Sequence, residues 1–243
     1  MLINNLKAQE RLIVALDVES FQEAEDLVKE LRSYCYFFKI GFSLFIRFGP
    51  DIVKMVQDLG GRVFLDLKLH DIPKTIERAT RAVLDLKVTM FTLHTTGGRQ
   101  MLRTASKILR EVKEDCRPYS LGVTILTSMD EQNLKDLGIS KNIDEAVLDL
   151  AKIAKEEGLK GVVASPLEVV KIRSYFNQDL VIVTPGIRLE SSHDDQKRTN
   201  SPYEAITNGA DFIVVGRPIL ESLDKIGTVE IFIREIEKGV RKR

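Results

Sequence analysis

Residues 62–73 read Arg62-Val63-Phe64-Leu65-Asp66-Leu67-Lys68-Leu69-His70-Asp71-Ile72-Pro73. An apolar, β-prone run passes into alternating charged and apolar residues, and then into a proline suited to the first turn of a helix. Strand, polar turn and helix follow one another directly, and the same succession recurs on either side. Strand candidates fall at 12–16, 36–40, 62–67, 88–93, 120–126, 161–164, 180–184 and 211–215, separated by amphipathic segments at 21–32, 50–59, 73–86, 98–113, 143–157, 167–175 and 202–208. Ser20 suits an N-cap, Pro50 a first helical turn, and Gly158 and Gly209 C-terminal caps. Strands alternating with helices predict a parallel sheet with helical crossovers. Eight such units in 243 residues predict a single-domain α/β fold, the (β/α)8 TIM barrel, ahead of a doubly wound open sheet.

No Pro-, Gly- or Ser-rich linker divides the chain, so 1–243 reads as one domain, with 1–10 an N-terminal extension and 235–243 a charged helix end and tail. Thirty-six Lys and Arg balance thirty-six Asp and Glu. That neutrality argues against a protein gripping the nucleic-acid backbone, which needs a basic surplus. No basic region precedes a long apolar run, so neither a signal peptide nor a membrane helix is expected, and the cytoplasm is the default compartment. Cys35 and Cys116 lie far apart and read as buried free thiols, without disulfide or zinc spacing. His70, His94 and His193 are too scattered for an all-histidine metal site.

In such a barrel, chemistry sits at the C-terminal ends of the strands. The apolar runs end there in Asp17, Lys39, the Asp66–Asp71 stretch, His94, Thr127 with Ser128, Ser165, Pro185 through Arg188, and Gly216 with Arg217. Side chains two apart share a face, so Asp66 and Lys68 point into the mouth while Leu67 and Leu69 face the helices. A lysine between Asp66 and Asp71 should keep its proton, which suits it to donating one rather than to attacking as an amine. An ion pair plugging the barrel end is the bland alternative. Asp17 and Lys39 arriving at the same mouth weigh against it, because burying several charges stabilises less than apolar packing. Gly216-Arg217-Pro218 reads as an anion site, with glycine for close approach and an arginine fork at a helix start. The polar stretch LESSHDDQKRTN at 189–200 is long enough to fold over the mouth and meet a phosphate through Arg188 and Gln196.

Together these residues resemble the orotidine 5′-phosphate decarboxylase family from about residue 11 to 220. The resemblance is carried by Leu16-Asp17-Val18, Lys39-Ile40-Gly41, Asp66 through Pro73, Leu126-Thr127-Ser128, Thr184 through Arg188, Asp195 through Arg198 and Val215 through Ile219. It implies decarboxylation of orotidine 5′-phosphate to UMP and CO2 in de novo pyrimidine biosynthesis, with no metal or organic cofactor. It also implies a charged catalytic array of Lys39, Asp66, Lys68 and Asp71, with Lys68 as proton donor to C6 of the pyrimidine. Asp17 and Lys39 would contact the ribose, and Arg188, Gln196, Gly216 and Arg217 the phosphate, with Pro185 among the substrate contacts. Thr124, Thr127 and Ser128 are all candidates for the pyrimidine edge, and motif position selects Thr127. The family pattern further implies a homodimer in which Asp71, Ile72 and Thr75 reach the neighbouring subunit's site.

Metal-dependent sugar-phosphate decarboxylases and aldolases of the same barrel group share the Asp-x-Lys-x-x-Asp spacing. They carry an acidic residue at the end of the second strand to help hold Mg²⁺, where this chain has the cation Lys39. A Schiff-base lysine would have to lose its proton against Asp66 and Asp71. A non-catalytic barrel has no need of charge at every expected position.

Overall fold

The computed structural model describes residues 6–189 and 200–243. Strands β1 (Leu12–Ala15), β2 (Phe37–Ile40), β3 (Arg62–Leu69), β4 (Met90–His94), β5 (Tyr119–Val123), β6 (Gly161–Val163), β7 (Val181–Thr184) and β8 (Phe212–Val215) pair in sequence order. Every pairing is parallel, and β8 closes on β1 with Leu12 opposite Ile213. The expected closed barrel is therefore formed, and the open sheet is not.

Strand alternation divides the apolar residues into two layers. Ile13, Phe37, Phe64, Met90, Leu121, Val181 and Phe212 fill the barrel. Leu12, Val14, Phe38, Ile40, Val63, Leu65, Phe91 and Leu93 instead pack under the helices. Phe37 and Phe212 meet edge to face at 5.6 Å, which makes the interior a packed core rather than a pore. The helices over β1, β3 and β4, Phe21–Leu31, Pro73–Asp85 and Gly98–Arg110, start and stop close to where their breakers indicate. Ser20 Oγ accepts from the Glu23 N–H at 3.1 Å. Gly158 and Gly209 take the positive φ values, 87° and 115°, of left-handed caps.

Two short helices, Phe42–Phe48 and Glu131–Asp136, stand where the sequence pattern indicates none. The first has no clean apolar stripe, and its Ile46 is 78% exposed. The second is a six-residue turn held by the reciprocal cap of Asp130 with Asn133, too short for periodicity to register. β5 ends at Val123 instead of running to 126, as the chain turns outward through Leu126, Thr127 and Ser128.

Leu6 packs into the inner apolar layer, and Ala8–Arg11 forms a helical turn leading into β1. Helix Lys225–Lys242 carries most of 235–243, and the Arg243 guanidinium donates to the Ala210 carbonyl at 3.2 Å and to Gln178 Oε1 at 2.9 Å. Asp211, 2% exposed, lies beneath. It accepts from Arg173 Nη2 at 2.8 Å, from the Ile182 N–H at 2.9 Å and from Arg243 at 3.4 Å, while Arg11 donates to its carbonyl at 3.1 Å. Only one of the two thiols is buried: Cys35 is, with its pKa pushed up to about 12 by burial, and Cys116 is exposed on a surface turn. Among the described residues no helix is long and apolar enough to cross a membrane.

Candidate active site

A cavity of about 300 Å³ opens at the C-terminal ends of the strands. Its floor is the top of the barrel core, Ala15, Phe64, Val123, Val163 and Val214, and its rim carries Asp17, Lys39, Asp66, Lys68, Thr127, Ser128, Pro185, Arg188, Gly216 and Arg217. An apolar floor beneath ionised groups lowers the local dielectric and strengthens each electrostatic contact.

Two lysine–carboxylate pairs face this space. Lys39 Nζ donates to Asp17 Oδ1 at 3.0 Å, and Lys68 Nζ to Asp66 Oδ2 at 2.8 Å. An ammonium has three donors, and each lysine spends one on its carboxylate, leaving others for a ligand. Glycines make room for the first pair. A Cβ on Gly216 would come within 3.3 Å of Asp17 Oδ2, and one on Gly41 within 3.3 Å of Lys39 Nζ.

The second pair stands on an irregular strand. Leu65 pairs with Phe91 and Leu69 with Leu93, so four steps of β3 run alongside two of β4. An excess of two leaves the parity of the strand unchanged, so Asp66 and Lys68 still share the inward face that simple alternation assigns them. Lys68 absorbs the excess with φ of 42°, a left-handed conformation rare for a residue with a side chain. Its N–H is accepted by Thr92 Oγ1 at 2.8 Å, and the same hydroxyl donates to Asp66 Oδ1 at 2.9 Å. The Lys68 ammonium also lies 5.7 Å from the ring centre of Phe42, within cation–π range.

Other expected site residues stand elsewhere. Asp71 and Ile72 line a separate shallow depression with His70, Gly97, Gln100 and Met101, and Thr75 is exposed on the first turn of Pro73–Asp85. Asp71 Oδ1 accepts the Ile72 N–H at 2.6 Å, and Ile72 is 67% exposed. Gln196 and His193 lie outside the described residues. The described residues that flank them meet: Ile187 bridges Asn200, and the Arg188 N–H donates to the Asn200 carbonyl at 3.1 Å. Arg188 is 9% exposed and Arg217 opens the turn Arg217–Leu220. Thr124 drops out of the three candidates for a polar ligand edge: its hydroxyl donates to the Val163 carbonyl at 3.0 Å, whereas Thr127 and Ser128 border the cavity. His94 stacks on His70 at 5.5 Å, and burial, followed by the charges of His70 and Lys68, holds its pKa below the ordinary imidazole value.

The sequence profile of the orotidine 5′-phosphate decarboxylase / HUMPS family matches residues 10–231. The chain belongs to that family. It is 47% identical to the orotidine 5′-phosphate decarboxylase of Syntrophotalea carbinolica over 98% of this chain and 99% of the relative. It is 45% identical to the enzyme of that name from Carboxydothermus hydrogenoformans, over 94% and 96%. The crystal structure of orotidine 5′-phosphate decarboxylase from Lactobacillus acidophilus superposes with a TM-score of 0.83 at 35% identity, covering 93% of this chain and 99% of that one. Family membership covers the whole barrel, so every rim residue named above lies inside the matched region.

Thr92 and Phe42 carry no signal of their role in the sequence. A threonine between Phe91 and Leu93 signals only a polar side chain facing inward, and its two partners belong to another strand. Phe42 follows Gly41 in a helix that periodicity does not reveal.

Proposed function

We propose that this protein decarboxylates orotidine 5′-phosphate to UMP and CO2, the closing step of de novo UMP synthesis. The observation that carries the reading is the Lys68–Asp66 pair, fixed at 2.8 Å on the rim of a cavity whose other edges carry Asp17–Lys39 and Arg217. Family membership and nearly full-length relatives with that activity support it.

In this reading Arg188, Gly216 and Arg217 receive the phosphate, with Gln196 from the neighbouring segment. Asp17 and Lys39 hold the ribose hydroxyls, and Thr127 with Ser128 and Pro185 border the pyrimidine. Cleavage of the bond between C6 and the carboxylate releases CO2 and leaves an electron pair in the ring plane, where the π system stabilises it poorly. The Lys68 ammonium stabilises that charge and transfers a proton to C6, forming the C–H bond of UMP, and then regains a proton from water. Asp66 holds the ammonium in place. Phosphate contacts contribute to the transition state as well as to affinity, since remote binding energy can be spent on orientation at the reacting carbon.

The functional unit in this reading is a cytoplasmic homodimer. Asp71, Ile72 and Thr75 border their own cavity nowhere and are exposed, as residues completing a neighbouring site would be before association. Mixing Lys68→Ala with Asp71→Ala, each inactive alone, should then restore roughly a quarter of wild-type activity, because half of randomly formed dimers carry one intact site of two. No recovery on mixing rejects shared sites. The principal test adds orotidine 5′-phosphate to EDTA-treated protein and follows the ultraviolet absorbance of the pyrimidine. Conversion to UMP without added metal is expected. An unchanged spectrum, with activity instead on a sugar phosphate plus Mg²⁺, would assign the chain to the metal-dependent branch.

A further inference from the structure

Three non-glycine residues among the described ones have positive φ: Lys68, Lys87 and Asn177. Lys87 and Asn177 follow helix ends, where a left-handed residue is an ordinary way to stop. Lys68 is inside a strand, and strained backbone persists only where its surroundings hold it.

One side chain does the holding. Thr92 Oγ1, on the inward face of β4 and 0% exposed, accepts the Lys68 N–H at 2.8 Å and donates to Asp66 Oδ1 at 2.9 Å. Asp66 Oδ2 accepts Lys68 Nζ at 2.8 Å, so the contacts form a closed ring through one lysine's backbone and side chain. The bulge interrupts the regular ladder between β3 and β4, and the hydroxyl takes the amide the bulge displaces. Because its lone pair faces Lys68, its proton must go to Asp66. That commits one carboxylate oxygen to threonine and leaves the other for the ammonium. Only a hydroxyl both accepts and donates here, and threonine's branching restricts its rotation.

We propose that Thr92 is a positioning residue: it holds Lys68 in its left-handed conformation and orients Asp66, thereby setting where the lysine proton points. The inference rests on the reading of Lys68 as the proton donor, and one of its tests needs no turnover. Thr92→Val keeps the shape and removes both hydrogen bonds, and Thr92→Ser keeps both. Expected for Thr92→Val is a fall in kcat of about 10²-fold, as for a misplaced reacting group. KM and UMP affinity should stay within about threefold of wild type, and Thr92→Ser should recover most of the rate. A crystal structure of Thr92→Val should show Lys68 relaxed from its positive φ and its ammonium displaced. An unmoved Lys68–Asp66 pair overturns the proposal even if the protein proves to have another substrate. A displaced pair in a protein inert toward orotidine 5′-phosphate supports the positioning role and rejects the decarboxylase reading. A kcat for Thr92→Val within threefold of wild type, or a Ser variant no better than Val, also overturns it. Thr92→Ala replaces Val if Val does not fold; failure of both to fold makes the role structural and overturns the proposal.

Discussion

Charge is concentrated at both ends of this barrel, in opposite styles. Beneath the N-terminal ends of the strands, Asp211 is 2% exposed and accepts hydrogen bonds on both carboxylate oxygens. Its side-chain partners are arginines, whose planar forks suit a static network. Burial pulls the pKa of Arg11 and Arg173 downward and Asp211 opposes it, yet a guanidinium remains charged throughout the accessible pH range. At the C-terminal ends Lys39 and Lys68 each hold one carboxylate, Asp17 and Asp66, and face a cavity with donors to spare. The buried cluster joins distant parts of the chain, whereas the lysine pairs face open space that a ligand can enter. In the proposed reading the difference separates charge that stabilises from charge that reacts.

The sharpest way to break this contrast is at the mouth. Lys68→Ala should lower turnover of orotidine 5′-phosphate by at least about 10³-fold while UMP binding and melting temperature stay near wild type. Substantial residual turnover would reject its role as acid. Arg217→Ala should cost about 10²-fold or more in kcat/KM through lost phosphate contact, again without altering the fold. Near-normal kcat/KM would remove Arg217 from the phosphate site.

At the other end the expected loss is of stability. Asp211→Asn leaves buried guanidinium groups uncompensated, at a cost of about 3 kcal/mol. In a chain of this length that lowers the melting temperature by roughly 6–12 °C. A calorimetric shift under a degree would show that the cluster contributes nothing. The smallest effect belongs to His94. Its folded-state pKa is depressed, so as pH falls the unfolded chain takes up the proton first, near the ordinary imidazole value of about 6.5. Stability is therefore complete above that pH and declines below it until the folded-state pKa is passed. Between pH 7 and 5 the wild type should lose more melting temperature than His94→Asn, and parallel profiles would contradict this.

How much of this could be read from residues alone follows from the range over which each signal acts. Eight strands and their closure are legible because alternation and helix breakers are local. Asp17, Lys39, Asp66 and Lys68 are legible because strand ends and parity place them, and in β3 parity survives only because the bulge adds two residues rather than one. The left-handed Lys68 is not legible, since nothing in Leu67-Lys68-Leu69 requires it; Thr92, on another strand, stabilises it. Asp211 reads as the start of an apolar strand because its partners at positions 11, 173 and 243 are far away in sequence. For Asp71, Ile72 and Thr75 the family motif implies a place outside their own site, and in the folded barrel none of the three lines its own cavity.

The division between the two ends is tested most directly by measuring turnover of orotidine 5′-phosphate per folded molecule, side by side, for Lys68→Ala and Asp211→Asn, at a temperature where both are folded. The account predicts near-wild-type turnover for Asp211→Asn and almost none for Lys68→Ala. Comparable turnover in the two variants would contradict it.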